Sequence, residues 1–152
     1  MFKKIIAATD RVNVPDAPVM AAIRIAETYG ADLRILHILE PGAKTGRFMV
    51  RHFEAGNGFP AAPVNHGAVE SKMNQTYRRF ISRLPKARVT VSAGRPWEEI
   101  LRTSRRSRAD LIVMGPHTEL EQAASPDENS GRIGSTVQGV VARENCPVMI
   151  VN

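Results

Sequence analysis

Short apolar runs alternate with segments of helical periodicity along most of the chain, and this alternation restricts the fold more than any other feature. The runs are near-continuous in apolar character, which is typical of parallel strands covered by helices on both faces. They occupy residues 4–9, 33–39, 88–92, 110–114 and 148–151. We therefore predict an α/β fold with a doubly wound, open five-stranded parallel sheet of order 3-2-1-4-5 and helices on both faces.

Helical patterns fill the segments between these runs. Asp16 is suited to cap a first helix, and Gly30 is suited to end it. Apolar residues at three- and four-residue steps from 69 to 84 predict a second helix. Pro96 suits the first turn of a third helix. An N–H group at that position has no acceptor within the helix, so proline, which lacks one, loses no hydrogen bond there.

A fourth helix is predicted to start around Gly134. Its apolar face is expected to carry three valines, Val137, Val140 and Val141. Two stretches without regular periodicity, 41–67 and 116–133, are longer than most connections in compact domains, and we predict long surface loops there.

The bulk properties restrict the class of protein. At 152 residues we expect one domain spanning 1–152. No run approaches the roughly 20 consecutive apolar residues of a membrane-spanning helix. Because the only cysteine is Cys146, the sequence predicts no intrachain disulfide, and we expect a cytoplasmic protein without a membrane segment.

The net charge of +6 raises the question of a nucleic-acid partner. The densest basic cluster lies at 102–108 and contains no aromatic residue that would stack on a base. Cations near the negative C-terminal end of a helix explain the cluster better than a footprint on a phosphate backbone does. Nucleic acid is therefore not the expected partner.

The ligand site is expected where the strand order reverses, beyond the carboxyl ends of the first and fourth strands. These ends are Thr9–Asp10 and Met114–Gly115. Asp10 is suited to hydrogen-bond a ribose hydroxyl or to help hold a magnesium ion, and the alternative is an Asx turn in the loop. For the neighbouring Arg11, contact with a phosphate and plain solvation stay open.

Gly115 opens a loop that closes on the segment from Gly131 to Gly134 at the start of a helix. Glycine lets backbone N–H groups approach a phosphate, and a helix N-terminus adds unpaired donors. The hydroxyl groups of Ser135 and Thr136 would supply further donors. The alternative is that Gly115 and Gly134 form only a turn and a helix start, with Ser135 as the cap.

Two histidines lie close to this region of the sequence. His37, in the second strand, is predicted to be a packed and hydrogen-bonded core histidine rather than a ligand. His117, two residues after Gly115, either reaches a phosphate or is an exposed loop residue.

Taken together, these segments carry a family resemblance. Thr9–Asp10 after the first strand, the segment 110–115, and Gly134–Ser135–Thr136 before the segment 146–151 resemble the universal stress protein family. The resemblance covers essentially the whole chain, and the C-terminal third is its most specific part. It implies a Rossmann-like fold and a role in stress response or signalling through an adenine nucleotide, ATP or AMP, with magnesium as a further ligand.

ATP-binding members of that family carry a Gly-x2-Gly-x9-Gly-Ser/Thr motif. By position, Gly115 resembles its first glycine and Gly134–Ser135 its last pair, while Thr118 stands in place of the second glycine. The loop is six residues longer than in the motif, and its acidic segment at 119–129 contains no Lys or Arg. The resemblance also implies that backbone groups at Ile38 hold the adenine. The resulting nucleotide-binding set is Asp10, Ile38, Gly115, His117, Thr118, Gly131, Gly134, Ser135 and Thr136.

Two other functions remain open at this point. The altered loop also fits a dimeric interaction module that no longer binds nucleotide. Family members commonly dimerise through the last strand, so the resemblance implies a homodimer formed at 147–151. The sequence identifies no nucleophile with a placed base, and it favours no enzymatic activity beyond slow ATP hydrolysis.

Overall fold

The computed structural model describes residues 1–41, 48–49, 66–117 and 133–152. No helix in these described ranges is long and apolar enough to cross a membrane. The elements, in chain order, are β1 (Lys4–Ala8), α1 (Ala17–Tyr29), β2 (Asp32–Pro41), β3 (Phe48–Met49), α2 (His66–Ile81), β4 (Arg88–Ala93), α3 (Pro96–Ser107), β5 (Leu111–Met114), α4 (Ser135–Val141) and β6 (Val148–Ile150).

Five parallel strands form the main sheet in the order β4-β2-β1-β5-β6. Counting only the parallel strands, this is the predicted order 3-2-1-4-5, and the predicted fold class is confirmed. The central strand β1 pairs with β2 through Ala8 and Leu36 at its carboxyl end, and with β5 through Ala7 and Val113. The strand order therefore reverses between β1 and β5, as the winding argument predicts.

The structure differs from the prediction after the second strand. β2 continues to Pro41, and the two-residue strand β3 pairs antiparallel with its end, Glu40 opposite Met49 and Pro41 opposite Phe48. Helix α2 begins at His66, inside the stretch predicted as a loop. The rest of that stretch, 42–47 and 50–65, lies outside the described residues, as does most of the predicted second loop, 118–132.

The predicted helix ends are confirmed where local chemistry determines them. The Asp16 carboxylate accepts a hydrogen bond from the Val19 N–H at 3.1 Å, which caps α1. Gly30 ends the same helix in the left-handed conformation, with φ of 64°. Pro96 occupies the first turn of α3. These features depend on short-range geometry, so a sequence carries them directly.

Helices cover both faces of the sheet, as predicted. α1 and α2 pack on one face, and α3 and α4 pack on the other. Both faces of β1 are therefore buried, which explains its continuous apolar sequence. In α4, Val137 and Val140 are buried, but Val141 is 51% exposed. The prediction that Val141 faces inward is wrong. Successive helical residues point about 100° apart, so Val141 faces outward when Val140 faces the sheet.

Candidate functional site

The reversal of strand order opens a crevice beyond the carboxyl ends of β1 and β5. On one side, the sheet ladder extends one residue past β1, with the Thr9 N–H donating to Leu36 O at 3.0 Å. On the other side, the Val151 N–H donates to Met114 O at 2.9 Å. The chain leaves the sheet after Thr9 and after Met114, so Asp10 and Gly115 follow directly on two neighbouring strand ends.

A partly buried hydrogen-bond network fixes the turn that carries Asp10. The Thr9 hydroxyl donates to the Asp16 carboxylate and accepts the Arg11 N–H at 3.0 Å. Burial raises the pKa of Asp16, while its hydrogen bonds with Thr9 and Val19 act in the opposite direction. Both ends of the 9–16 turn are therefore held by the same two side chains.

Helix α2 supports this turn from one side, which the sequence did not indicate. The Thr76 hydroxyl donates to Val12 O at 2.7 Å. The neighbouring Tyr77 is fully buried, and its pKa is raised by burial and by the nearby charge of Asp16. The contact joins residues 64 positions apart, so no local sequence signal could have revealed it.

His37 lies directly below the crevice and confirms the prediction of a core histidine. The residue is 4% exposed, and its Nδ1 lies 2.9 Å from Thr9 O. Because a carbonyl oxygen only accepts, Nδ1 must carry the proton. Burial lowers the pKa of His37, so the neutral ring is favoured. His37 therefore anchors the end of β1 and does not reach toward a ligand.

The main chain of Ile38 faces the crevice. Successive residues of a strand direct their N–H and C=O groups toward opposite neighbouring strands. Leu36 O accepts from Thr9 on the β1 side, and Leu39 O accepts from Gly94 on the β4 side. The N–H and C=O groups of Ile38 therefore point to the β1 side, beyond the last β1 residue, while its side chain packs under α3 and α4.

The start of α4 forms the other wall of the crevice. The Gly134 N–H donates to Pro116 O at 2.7 Å, so the two ends of the predicted second loop meet. Gly134 occupies the cap position and Ser135 is the first helical residue, so the alternative with Ser135 as cap is wrong. Ser135 is exposed, whereas Thr136 is 9% exposed and buried.

The packing of the protein does not require glycine at position 115. A Cβ added there would lie 3.6 Å from Pro18 Cγ and 3.7 Å from His117 O, both ordinary contact distances. Its φ lies outside the left-handed region that favours glycine. An alanine would therefore fit the protein at this position.

Six of the residues predicted to bind nucleotide lie on the segments that border the crevice: Asp10, Gly115, His117, Gly134, Ser135 and Thr136. Ile38 joins them through its main chain. Thr118 and Gly131 lie outside the described residues. Within the described ranges, no group of three or more His, Cys, Asp or Glu side chains is placed to hold a metal ion.

The model of the universal stress protein family matches residues 1–152. The chain belongs to this family. A relative from Thermus aquaticus, described as a universal stress protein in the QAH/OAS sulfhydrylase 3' region, is 28% identical over 151 residues, which is 99% of each chain.

Solved universal stress proteins share the fold. UspA from Lactobacillus plantarum superposes with a TM-score of 0.69 at 22% identity, over 99% of this chain and 97% of that one. A universal stress protein in complex with cAMP gives a TM-score of 0.63 at 20% identity, over 99% and 97% of the chains. One from Archaeoglobus fulgidus in complex with dAMP gives 0.56 at 14% identity, over 100% and 98%.

Proposed function

We propose that this universal stress protein family member binds an adenine nucleotide, ATP or AMP, in the crevice between β1 and β5, and acts in stress response or signalling. The observation that carries the proposal is the meeting of Asp10, Gly115 and the start of α4 at the point where the strand order reverses. Relatives of the same fold were solved in complex with cAMP and with dAMP. In this proposal residues 1–152 act as one domain in the cytoplasm.

Each element of the crevice has a proposed role. The Ile38 main chain offers one donor and one acceptor toward the β1 side, which suits the edge of an adenine ring. Asp10, held by the Thr9–Asp16 network, accepts a hydrogen bond from a ribose hydroxyl. Gly115 lets a phosphate approach the backbone closely, which explains a glycine that the protein's own packing does not require.

The phosphate end of the crevice is assigned to the first turn of α4. The hydroxyl groups of Ser135 and Thr136 would donate to phosphate oxygens, and His117 would approach from the Gly115 side. Thr118 and Gly131 complete the proposed set. The alternative role for Asp10 is to help hold a magnesium ion with the phosphates in place of the ribose contact, because magnesium is commonly held by one or two carboxylates plus substrate phosphate oxygens. We propose binding rather than catalysis, with slow ATP hydrolysis as the most that this set would support.

Gly115→Ala tests the nucleotide site without disturbing the fold. The added methyl group meets only ordinary contacts in the protein, so the melting temperature should stay unchanged. Nucleotide affinity should fall at least about tenfold, because one lost hydrogen bond to a charged group is worth about 1.5–3 kcal/mol. Isothermal titration with AMP and with ATP, each with and without magnesium, measures the change.

Asp10→Asn provides a second variant with a matched control. It should weaken binding, because the neutral amide oxygen of Asn accepts a hydrogen bond from a ribose hydroxyl more weakly than the carboxylate does. Asp32→Asn makes the same substitution at the opposite end of the sheet, where the carboxylate pairs with Lys86 at 3.4 Å, and it should bind as the wild type does. A wild-type protein that binds neither nucleotide at millimolar concentration would refute the proposal.

We also propose a homodimer that forms through β6. This strand is the last of the described sheet on this side, and its Met149 and Ile150 are each 38% exposed. An apolar edge strand presents unpaired backbone groups that a second copy can pair with. A dimeric interaction module does not need nucleotide, so it is the second candidate function if the crevice binds no nucleotide in solution.

Light scattering at micromolar concentration tests the dimer. The wild type should have twice the mass of one chain, and Ile150→Lys should be monomeric. Val14→Lys places the same charge on another exposed apolar residue, 50% exposed and far from β6 in the sequence, and it should remain dimeric. A monomeric wild type contradicts the proposal.

A further inference from the structure

Three arginines meet at the amino end of the sheet, opposite the crevice. The β2–β4 register places Arg34 directly beside Arg88, so the two side chains lie on the same face of the sheet. That face is the one that α3 and α4 cover, because Arg34 shares it with the buried Leu36. α3 packs on β2, and its last turn carries Arg106.

The positive charge of this cluster is not neutralised within the described part of the chain. Burial lowers the pKa of Arg34, and repulsion from Arg88 and then Arg106 lowers it further. The Nε atom of Arg34 is buried and has no hydrogen-bond partner. Among the described residues, none of the three arginines belongs to an ion pair.

The carboxylates at this end of the sheet are engaged elsewhere. Asp32 pairs with Lys86 at 3.4 Å. Asp110 accepts the N–H groups of Lys3 at 2.9 Å and Lys4 at 3.1 Å. Like charges placed directly opposite each other on neighbouring strands destabilise a sheet, and the exposed Arg88 and Arg106 leave this cluster open to an external anion.

Other arginines of α3 have partners within the chain. Arg102 pairs with the buried Glu99, and Arg105 donates to Arg143 O at 3.4 Å. Arg102 is therefore neutralised by an ion pair, whereas Arg105 keeps its charge and donates to a neutral main-chain carbonyl oxygen. No aromatic residue stands in the basic segment 102–108 to stack on a base. The close grouping of Arg34, Arg88 and Arg106 and the lack of a stacking residue favour a small anion over a nucleic-acid strand.

We propose that Arg34, Arg88 and Arg106 form a second anion site, which takes a compact phosphate group such as pyrophosphate. Guanidinium groups bind phosphate oxygens with paired N–H donors and keep their charge at any physiological pH. The site lies at the amino ends of β2 and β4, whereas the nucleotide crevice lies at the carboxyl ends of β1 and β5. The two sites are therefore independent, and this proposal does not rest on nucleotide binding.

Arg88→Gln tests the proposal with two readouts that move in opposite directions. Without ligand, the variant should melt at or above the wild-type temperature, because it removes repulsion. It should also bind sodium pyrophosphate about tenfold more weakly, through loss of a charged hydrogen bond. Arg24→Gln removes the same charge from an exposed arginine of α1 and should bind as the wild type does. Calorimetric titration and thermal unfolding at constant ionic strength measure both effects.

Further variants show whether pyrophosphate binds at the arginine cluster, in the crevice or through general charge attraction. Gly115→Ala should leave this pyrophosphate binding unchanged. If Gly115→Ala loses it while Arg88→Gln keeps it, the ligand occupies the crevice and the proposal is wrong. Equal weakening in Arg88→Gln and Arg24→Gln would show only general charge attraction and would also overturn it. A short DNA duplex that binds through Arg88 when pyrophosphate does not bind would replace the proposed anion with nucleic acid.

Discussion

Gly139 of α4 lies directly against Trp97 in the first turn of α3, and we predict that Gly139→Ala destabilises the protein. A Cβ added at position 139 would lie 2.6 Å from Cγ and 2.8 Å from Cβ of Trp97. The backbone fixes the Trp97 Cβ atom, so rotation of the ring cannot relieve that contact. The Arg143 guanidinium also lies over the same ring, 4.6 Å from its centroid. One of the two helices must therefore shift.

The expected loss follows from two opposing effects. Alanine is favoured over glycine in a helix by about 1 kcal/mol. Overpacking a filled site costs about 1–3 kcal/mol. An ordinary carbon–carbon separation is about 3.5–4.0 Å, so the added Cβ and Trp97 must move apart by about 1 Å. A shift of that size places the cost in the upper part of the range of about 1–3 kcal/mol. The net loss in the free energy of unfolding is therefore about 1–2 kcal/mol, and each 1 kcal/mol lowers Tm by about 2–4 °C.

Urea unfolding followed by Trp97 fluorescence and by circular dichroism measures this loss, since Trp97 is the only tryptophan in the sequence. Gly67→Ala is the matched control, because Gly67 is exposed in the first turn of α2. Its free energy of unfolding should stay within about 0.5 kcal/mol of the wild-type value or rise. If Gly139→Ala is as stable as the wild type and leaves Trp97 emission unchanged, the packing argument is wrong.

Three further predictions concern the buried polar groups and one turn. Burial lowers the pKa of His37 in the folded protein, so the unfolded chain takes up the proton first as pH falls below about 6.5. The free energy of unfolding should therefore decrease from about pH 7.5 to about pH 5.5. In urea titrations at each pH, His37→Gln should show a weaker dependence of that free energy on pH. Thr9→Val removes the donor to the partly buried Asp16 carboxylate, and should lower the free energy of unfolding by about 1.5–3 kcal/mol. Gly94→Ala should lower Tm, since Gly94 has φ of 144° and an added Cβ would lie 3.1 Å from Glu99 Cγ; a wild-type Tm would contradict this.

Much of the fold could be predicted because it depends on local patterns and on general winding rules. Burial on both faces makes β1 continuously apolar, and Asp16 and Gly30 act on the helix beside them, so all three are visible in the sequence. The short strand β3 was not visible. A two-residue antiparallel pair depends on where the end of β2 lies in space, and Pro41 suggested a strand end rather than an edge position.

The location of the site could also be predicted, but its supporting contacts could not. Strand order alone places Asp10 beside Gly115. The hydrogen bond from His37 to Thr9 O joins residues 28 apart, and it forms only because β1 and β2 pair in one particular register. The contact from Gly134 N–H to Pro116 O likewise depends on how the chain returns after the second loop.

Substitutions at two glycines, Gly115 beside the crevice and Gly139 in α4, should distinguish effects on stability from effects on nucleotide binding. Gly139 is required by the contact between α3 and α4, whereas no contact with the described residues requires glycine at position 115. Because α4 also carries Ser135, a shift caused by Gly139→Ala should reduce both stability and nucleotide affinity. Gly115→Ala should reduce affinity alone. If instead both variants reduce only stability, the crevice binds no phosphate, and Gly115 has a structural role that its surroundings do not explain.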